Sequence, residues 1–208
     1  MSRLIRVRAG SVLGAAVLLL TGCSSGADGG GTLSVARIKE RAKAMGSGGA
    51  AKCPVAYDIA AAGKAAGYGD RAGASPERPA ATAEFDGSPD SPIRQSDGAL
   101  IDCVYRVGAQ PLHVYTVGTG KGSALSLMAP LIQRDAKMST AELMPWIDKA
   151  MKSERSVPVT TPGQTVATVR LPVDGAGDAV LVASLGPTGS ADAQLGRLAR
   201  NLAEQARS

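Results

Sequence analysis

The apolar run Ala9–Leu20 is about 12 residues long, whereas a helix needs roughly 20 to cross a bilayer. Nothing after it reaches 18 consecutive apolar residues. Whatever follows must therefore fold around a core of its own, and 208 residues suffice for one domain plus a leader. Aromatic side chains are scarce: Phe85, Trp146, Tyr57, Tyr68, Tyr105 and Tyr115. The core has to be built from Val, Leu, Ile and Ala. Sugar-binding proteins and single-strand nucleic-acid binders rely on stacking platforms, so this composition weighs against both classes.

Arg3, Arg6 and Arg8 precede the apolar run, and electrostatics keeps such a segment on the cytoplasmic side. The order positive segment, short apolar segment, small residues is that of an export signal. Leu20-Thr21-Gly22-Cys23 then resembles the bacterial lipobox. That resemblance implies removal of residues 1–22, a diacylglyceryl group on the Cys23 thiol with palmitate-type chains, and the membrane as a partner. The protein would sit on the outer face of the cell membrane. Two acyl chains, gaining about 0.8 kcal/mol per buried CH2, make such anchoring stable. An ordinary secretory signal with a chance cysteine is the alternative. No arginine pair is present, which favours the general export route over the folded-protein route. The formal charge of +5 includes the three leader arginines; the remaining 20 basic and 18 acidic residues give only +2. A field that weak offers no case for nucleic acid as a partner.

With Cys23 assigned to lipid, Cys53 and Cys103 remain. An even pair in an oxidising compartment reads as one disulfide, and closing a loop of about 50 residues restricts the unfolded chain by roughly 4 kcal/mol. A metal or redox pair is the alternative. It lacks a close C-x-x-C, and the chain's single histidine, His113, leaves a metal short of ligands.

Ser24–Thr32 reads as a flexible tether; nine residues give a reach on the order of 16 Å. From Leu33 to Met45, Val35, Ile38, Ala42 and Met45 recur at helical spacing among Arg37, Lys39, Arg41 and Lys43. This is either a basic amphipathic helix lying on headgroups within an anchor segment 23–52, or the first helix of the domain. The domain proper is expected over 53–208. Pro54 suits a first helical turn, with Val55, Ile59, Ala62 and Ala66 on one face and Gly67 as the stop. Residues 68–98 are rich in turn formers, with a short strand near 81–85. Strands are expected at 99–107 and 112–118 around Gly108–Pro111, then helix over 123–152 broken near Ser139. Ser139-Thr-Ala-Glu142 matches a capping box, after which Leu143, Trp146, Ile147, Ala150 and Met151 form an apolar face with Pro145 awkwardly among them. Strands at 157–171, turning at Thr161–Gln164, and at 178–185 precede a helix opening at Ser190 with Leu195, Leu198 and Leu202 inward. The order predicts an α+β fold: an antiparallel sheet of about four to five strands with helices packed on one side.

The lipobox cysteine, Cys53 heading a helix, Cys103 in a strand, Gly175-Ala-Gly-Asp178 before a strand and the terminal Leu/Ala/Arg helix give a combined pattern. It resembles the small actinomycete envelope lipoproteins of the domain-of-unknown-function 3558 kind and related extracellular sensor domains. More distantly, in size, compartment and composition alone, the chain is similar to the accessory lipoprotein that accompanies the streptomycete envelope-stress sigma factor and sensor kinase. The resemblance spans about 53–208 and implies a membrane sensor protein as partner.

Three motifs invite a chemical reading. Gly118–Ser123 sits at a strand exit like a phosphate loop, but G-x-x-x-x-G-K-[ST] fails at Tyr115 and at Gly122. His113 is the one imidazole, with no G-x-S-x-G elbow to serve. Asp86–Asp90, with Asp97 and Asp102, lacks the alternation of a calcium loop. Asp178 is expected to pin its glycine turn. The reading is a non-enzymatic, lipid-anchored binding or regulatory protein that needs no cofactor and modulates envelope-stress signalling through a membrane neighbour. The alternative is a small-molecule or lipid-binding envelope lipoprotein.

Overall fold

The structure is a computed structural model that describes residues 33–45, 52–74, 80–82 and 91–206. Residues 1–22, Cys23, the 24–32 tether, Phe85, Asp86 and Asp90 lie outside the described residues. No described helix is long and apolar enough to cross a membrane.

Ten-residue strands β3 (Gly98–Val107) and β4 (Gln110–Thr119) form a hairpin around Gly108-Ala109, a tighter turn than the four residues expected. Beside β4 lies β7 (Asp178–Ser184), then β6 (Val166–Leu171) and β5 (Pro158–Thr160). On the other edge β1 (Ala72–Ala74) and β2 (Ala80–Thr82) pair with the two halves of β3. The sheet is thus antiparallel throughout, with seven strands in six positions. The class is the expected α+β, with a slightly wider sheet.

The helices do not all lie on one side. Ile101, Cys103, Leu112, Val114, Val169, Leu181 and Ala183 face a core shared with α1 (Val35–Met45), α2 (Ile59–Ala66) and α7 (Leu195–Gln205). Leu100, Tyr115, Val117, Val166, Val180 and Val182 face a second core. That core is shared with α3 (Pro92–Gln95), α4 (Ala124–Leu127), α5 (Ala129–Ala136) and α6 (Thr140–Lys152). The reason is written in β7, where Ala179 to Ser184 are all 0% exposed. A strand with apolar side chains on both faces needs a covering layer on each.

The 35–45 segment is the first helix of the domain. Leu33, Ile38 and Met45 join the first core, and the Asp174 amide donates to the Leu33 carbonyl at 2.9 Å. Its apolar stripe is consumed by the sheet and cannot also lie among headgroups. The folded unit accordingly starts near Leu33, not Cys53.

α2 begins at Ile59 rather than Pro54, because the Asp58 side chain accepts from the Ala61 amide and caps it there. It ends at Gly67, as the pattern predicts. The Ser139–Glu142 capping box forms in full, and Trp146 is core, its Nε1 donating to the Thr160 carbonyl at 3.0 Å. Met151, expected on the same face, is instead 40% exposed. α7 opens at Leu195, five residues later than expected, with Leu195, Leu198 and Leu202 buried.

Ile38→Ala is expected to cost about 3 kcal/mol, the usual loss for a buried aliphatic side chain left as a cavity. Denaturant unfolding of the two proteins measures it. An unchanged midpoint would show that α1 is dispensable to the domain.

Candidate functional site

Cys53 lies just before α2 and Cys103 in the middle of β3, and the two are joined with Cα atoms 5.5 Å apart. Cys103 is wholly buried within the first core, so the bond ties the irregular 52–58 segment to the sheet's centre. Tyr57 lies beside it, sharing a hydrogen bond with Thr116 Oγ1 at 2.6 Å and meeting Tyr105 edge-on. Burial pushes the Tyr57 hydroxyl far above the ordinary tyrosine range, so it stays neutral.

His113 lies on the opposite face of the sheet, where the second helical layer gives out. β4 aims His113 and Tyr115 the same way, and their rings stack 5.6 Å apart, 11° from parallel. Asp102 on β3 reaches across diagonally, its carboxylate 3.0 Å from His113 Nδ1. Cross-strand from His113 is Ser184. Ser184 donates to Asp135 Oδ2 at 2.6 Å and accepts from the Gly186 amide at 3.0 Å. Asp135 comes from the inward face of α5 and is itself paired with Arg134 Nε at 2.7 Å. Histidine, serine and two carboxylates therefore share one patch. The Ser184 hydroxyl is fully buried and its hydrogen is committed to Asp135, while Asp102 holds His113. The Asp102 hydrogen bond raises the His113 pKa above its ordinary value, against the opposing effect of burial. Neither Ser184 nor Asp135 carries a sequence signal: Ser184 ends an apolar strand, and Asp135 follows Gln133 and Arg134 like any surface acid of a helix.

The glycine-rich Gly118–Ser123 run is accounted for by packing. A Cβ on Gly118 would lie 2.8 Å from Ile38 Cδ1, and one on Gly120 would lie 2.7 Å from Asp97 Oδ2. These glycines let α1 and the 97 turn approach the sheet end; a phosphate is not needed to explain them. The acidic residues scatter likewise. Asp97 pairs with Lys39 and Asp102 with His113. No group of three metal-ligating side chains occurs among the described residues.

Asp178 does more than pin its own turn. Its Oδ2 accepts from the Ala124 amide at 3.0 Å, holding the start of α4, and its Oδ1 is 3.9 Å from Arg170 Nη2. Arg170 Nη1 donates to the Met151 carbonyl and Arg155 Nη1 to the Leu171 carbonyl, each at 2.6 Å. These groups line an open cleft of about 260 Å³ with Ser123, Met151 and Gly177. A second, shallower hollow of about 450 Å³ lies between α2 and α7. Both open to the surface.

No family model matches this chain, and neither does any curated protein or solved structure.

Two outcomes follow. Replacing Cys53 and Cys103 with serine is expected to cost roughly 4 kcal/mol in denaturant unfolding. For His113, the folded pKa lies above the unfolded value of about 6.5, so its stabilising pairing is fully present below that pH. The contribution fades as pH rises through the folded pKa. The stability difference between wild type and His113→Gln should thus be larger at pH 6 than at pH 8.5, read from urea midpoints at the two values.

Proposed function

We propose that the protein is a lipid-anchored extracytoplasmic lipoprotein, fixed to the cell membrane through diacylglyceryl-Cys23, whose domain acts by binding and regulation. The observation that carries the address is the sequence Leu20-Thr21-Gly22-Cys23 directly behind a basic and then a short apolar segment. The Cys53–Cys103 bond supports it independently, because such structural bridges persist in oxidising compartments.

Support for a binding role comes from how the polar groups are used. His113, Asp102, Asp135 and Ser184 satisfy one another across the sheet and α5, which fits a structural network better than a hydrolytic site. A domain on a tether of nine residues meets only partners at the same surface. A membrane sensor protein of the envelope-stress kind is the partner class proposed. For the small-molecule alternative, the surface clefts at Arg155 and Asp178 and between α2 and α7 are candidate sites among the described residues.

Cys23→Ala is expected to move the protein from the membrane to the soluble fraction. The mature native N-terminal peptide should carry the mass of a diacylglyceryl group. Native protein recovered from cytosol with residues 1–22 attached would overturn the proposal. Deleting the gene should change envelope-stress transcription, and an unchanged response would remove the signalling part of it.

A further inference from the structure

The described chain begins at one end of the sheet. Leu33 is bonded to Asp174, and Val35 packs so closely on the Gly177 backbone that a Cβ there would lie 2.7 Å from Val35 Cγ2. Gly177 and Asp178 also line the cleft that contains Met151, Arg155 and Arg170. The C-terminal end of α6 is drawn to this same end by the Arg170 bond to the Met151 carbonyl. Its N-terminal end points away, towards α5, where Gln133 bonds Thr140.

Two of the exposed large apolar side chains, Met151 at 40% and Val157 at 39%, lie here. Lys121, Lys152 and Arg155 are exposed around them. The acidic groups at this end are Asp97, paired with Lys39, Asp178, which lies against Arg170, and Glu154 and Asp174. Cys23 is ten residues before Leu33, so even fully extended the link spans at most about 36 Å. An anchored protein therefore holds this end within reach of the lipid.

We infer that the sheet end carrying Met151 and Val157 between Lys121, Lys152 and Arg155 rests on the headgroups of an anionic bilayer. The inference builds on the lipid-anchor reading of Cys23. Apolar side chains enter the interfacial layer while the basic ones meet headgroup phosphates, each contributing about fivefold in binding near an anionic surface. The rest of the domain is thereby held upright, with the His113 face and the α2–α7 hollow open to other partners.

The test uses two methionines of one helix. Met144 is 56% exposed and lies seven residues before Met151, about 10 Å along the axis. The full-length lipoprotein is reconstituted in vesicles containing phosphatidylglycerol, or in vesicles of phosphatidylcholine alone. It is treated briefly with hydrogen peroxide, and sulfoxide is read at each site by peptide mass spectrometry. Oxidation of Met151 should slow at least about fivefold on the anionic vesicles only, with Met144 unchanged. Lys121→Glu with Arg155→Glu should abolish the protection. Because Arg155 also holds the Leu171 carbonyl, the pair Lys121→Glu with Lys152→Glu, which leaves that bond intact, should do the same.

Equal protection of both methionines would mean that α6 lies flat on the bilayer, and no protection would mean that this end stays in water; either overturns the inference. So would protection of Met151 by inorganic phosphate in detergent, which would make the cleft a soluble-anion site. The N-terminal peptide from the same digest reports lipidation separately, so loss of the anchor is distinguishable from loss of docking.

Discussion

Strand β7 sets the terms for the whole domain. From Ala179 to Ser184 it exposes nothing, with Ala179, Leu181 and Ala183 facing one core and Val180 and Val182 the other. A strand buried on both faces and both edges can exist only inside a wider sheet with a layer above and below. β4 and β6 supply its edges, α1, α2 and α7 one layer, and α4 to α6 the other. With few aromatic side chains to fill volume, close approach takes their place. Gly118 admits Ile38 to the sheet, and Gly177 admits Val35.

That architecture explains where polar chemistry is found. Buried polar side chains are costly unless hydrogen-bonded, and Ser184, Asp135 and Arg134 form a satisfied set at the margin of the second core. His113 stands just beyond it, partly in water and against the buried Asp102, where a change of charge on the imidazole is tolerated. The disulfide sits under the opposite layer and fixes a segment that forms neither helix nor strand. The polar margin and the crosslink occupy opposite faces of one sheet, and the end that carries Arg155 and Arg170 is a third region.

Much of this was legible from residues alone. Period-two and period-3.6 patterns gave β3, β4, β7, α1 and α7 within a few residues, and the Ser139 capping box placed the start of α6. The errors have physical causes. Apolar runs in β6 and β7 signalled burial on both faces, but the element order alone suggested a single helical layer. Pro54 mimicked a helix start that the Asp58 cap placed at Ile59. Met151 follows the inward Ala150, yet it lies two turns after the exposed Met144, on the same side of α6, and so stays on the flank that the core does not cover.

The sequence by itself determined the pairing of Cys53 with Cys103, the α+β class and most strand and helix positions. These are local or counting properties, set by hydrophobic period, caps and the number of thiols. Only the tertiary structure decided that helices cover both faces, that α1 belongs to the domain, and that Ser184, Asp135, Asp102 and His113 meet. Those outcomes depend on which distant segments are brought into register, and side chains 49 residues apart, such as Ser184 and Asp135, leave no mark of their contact in a linear pattern.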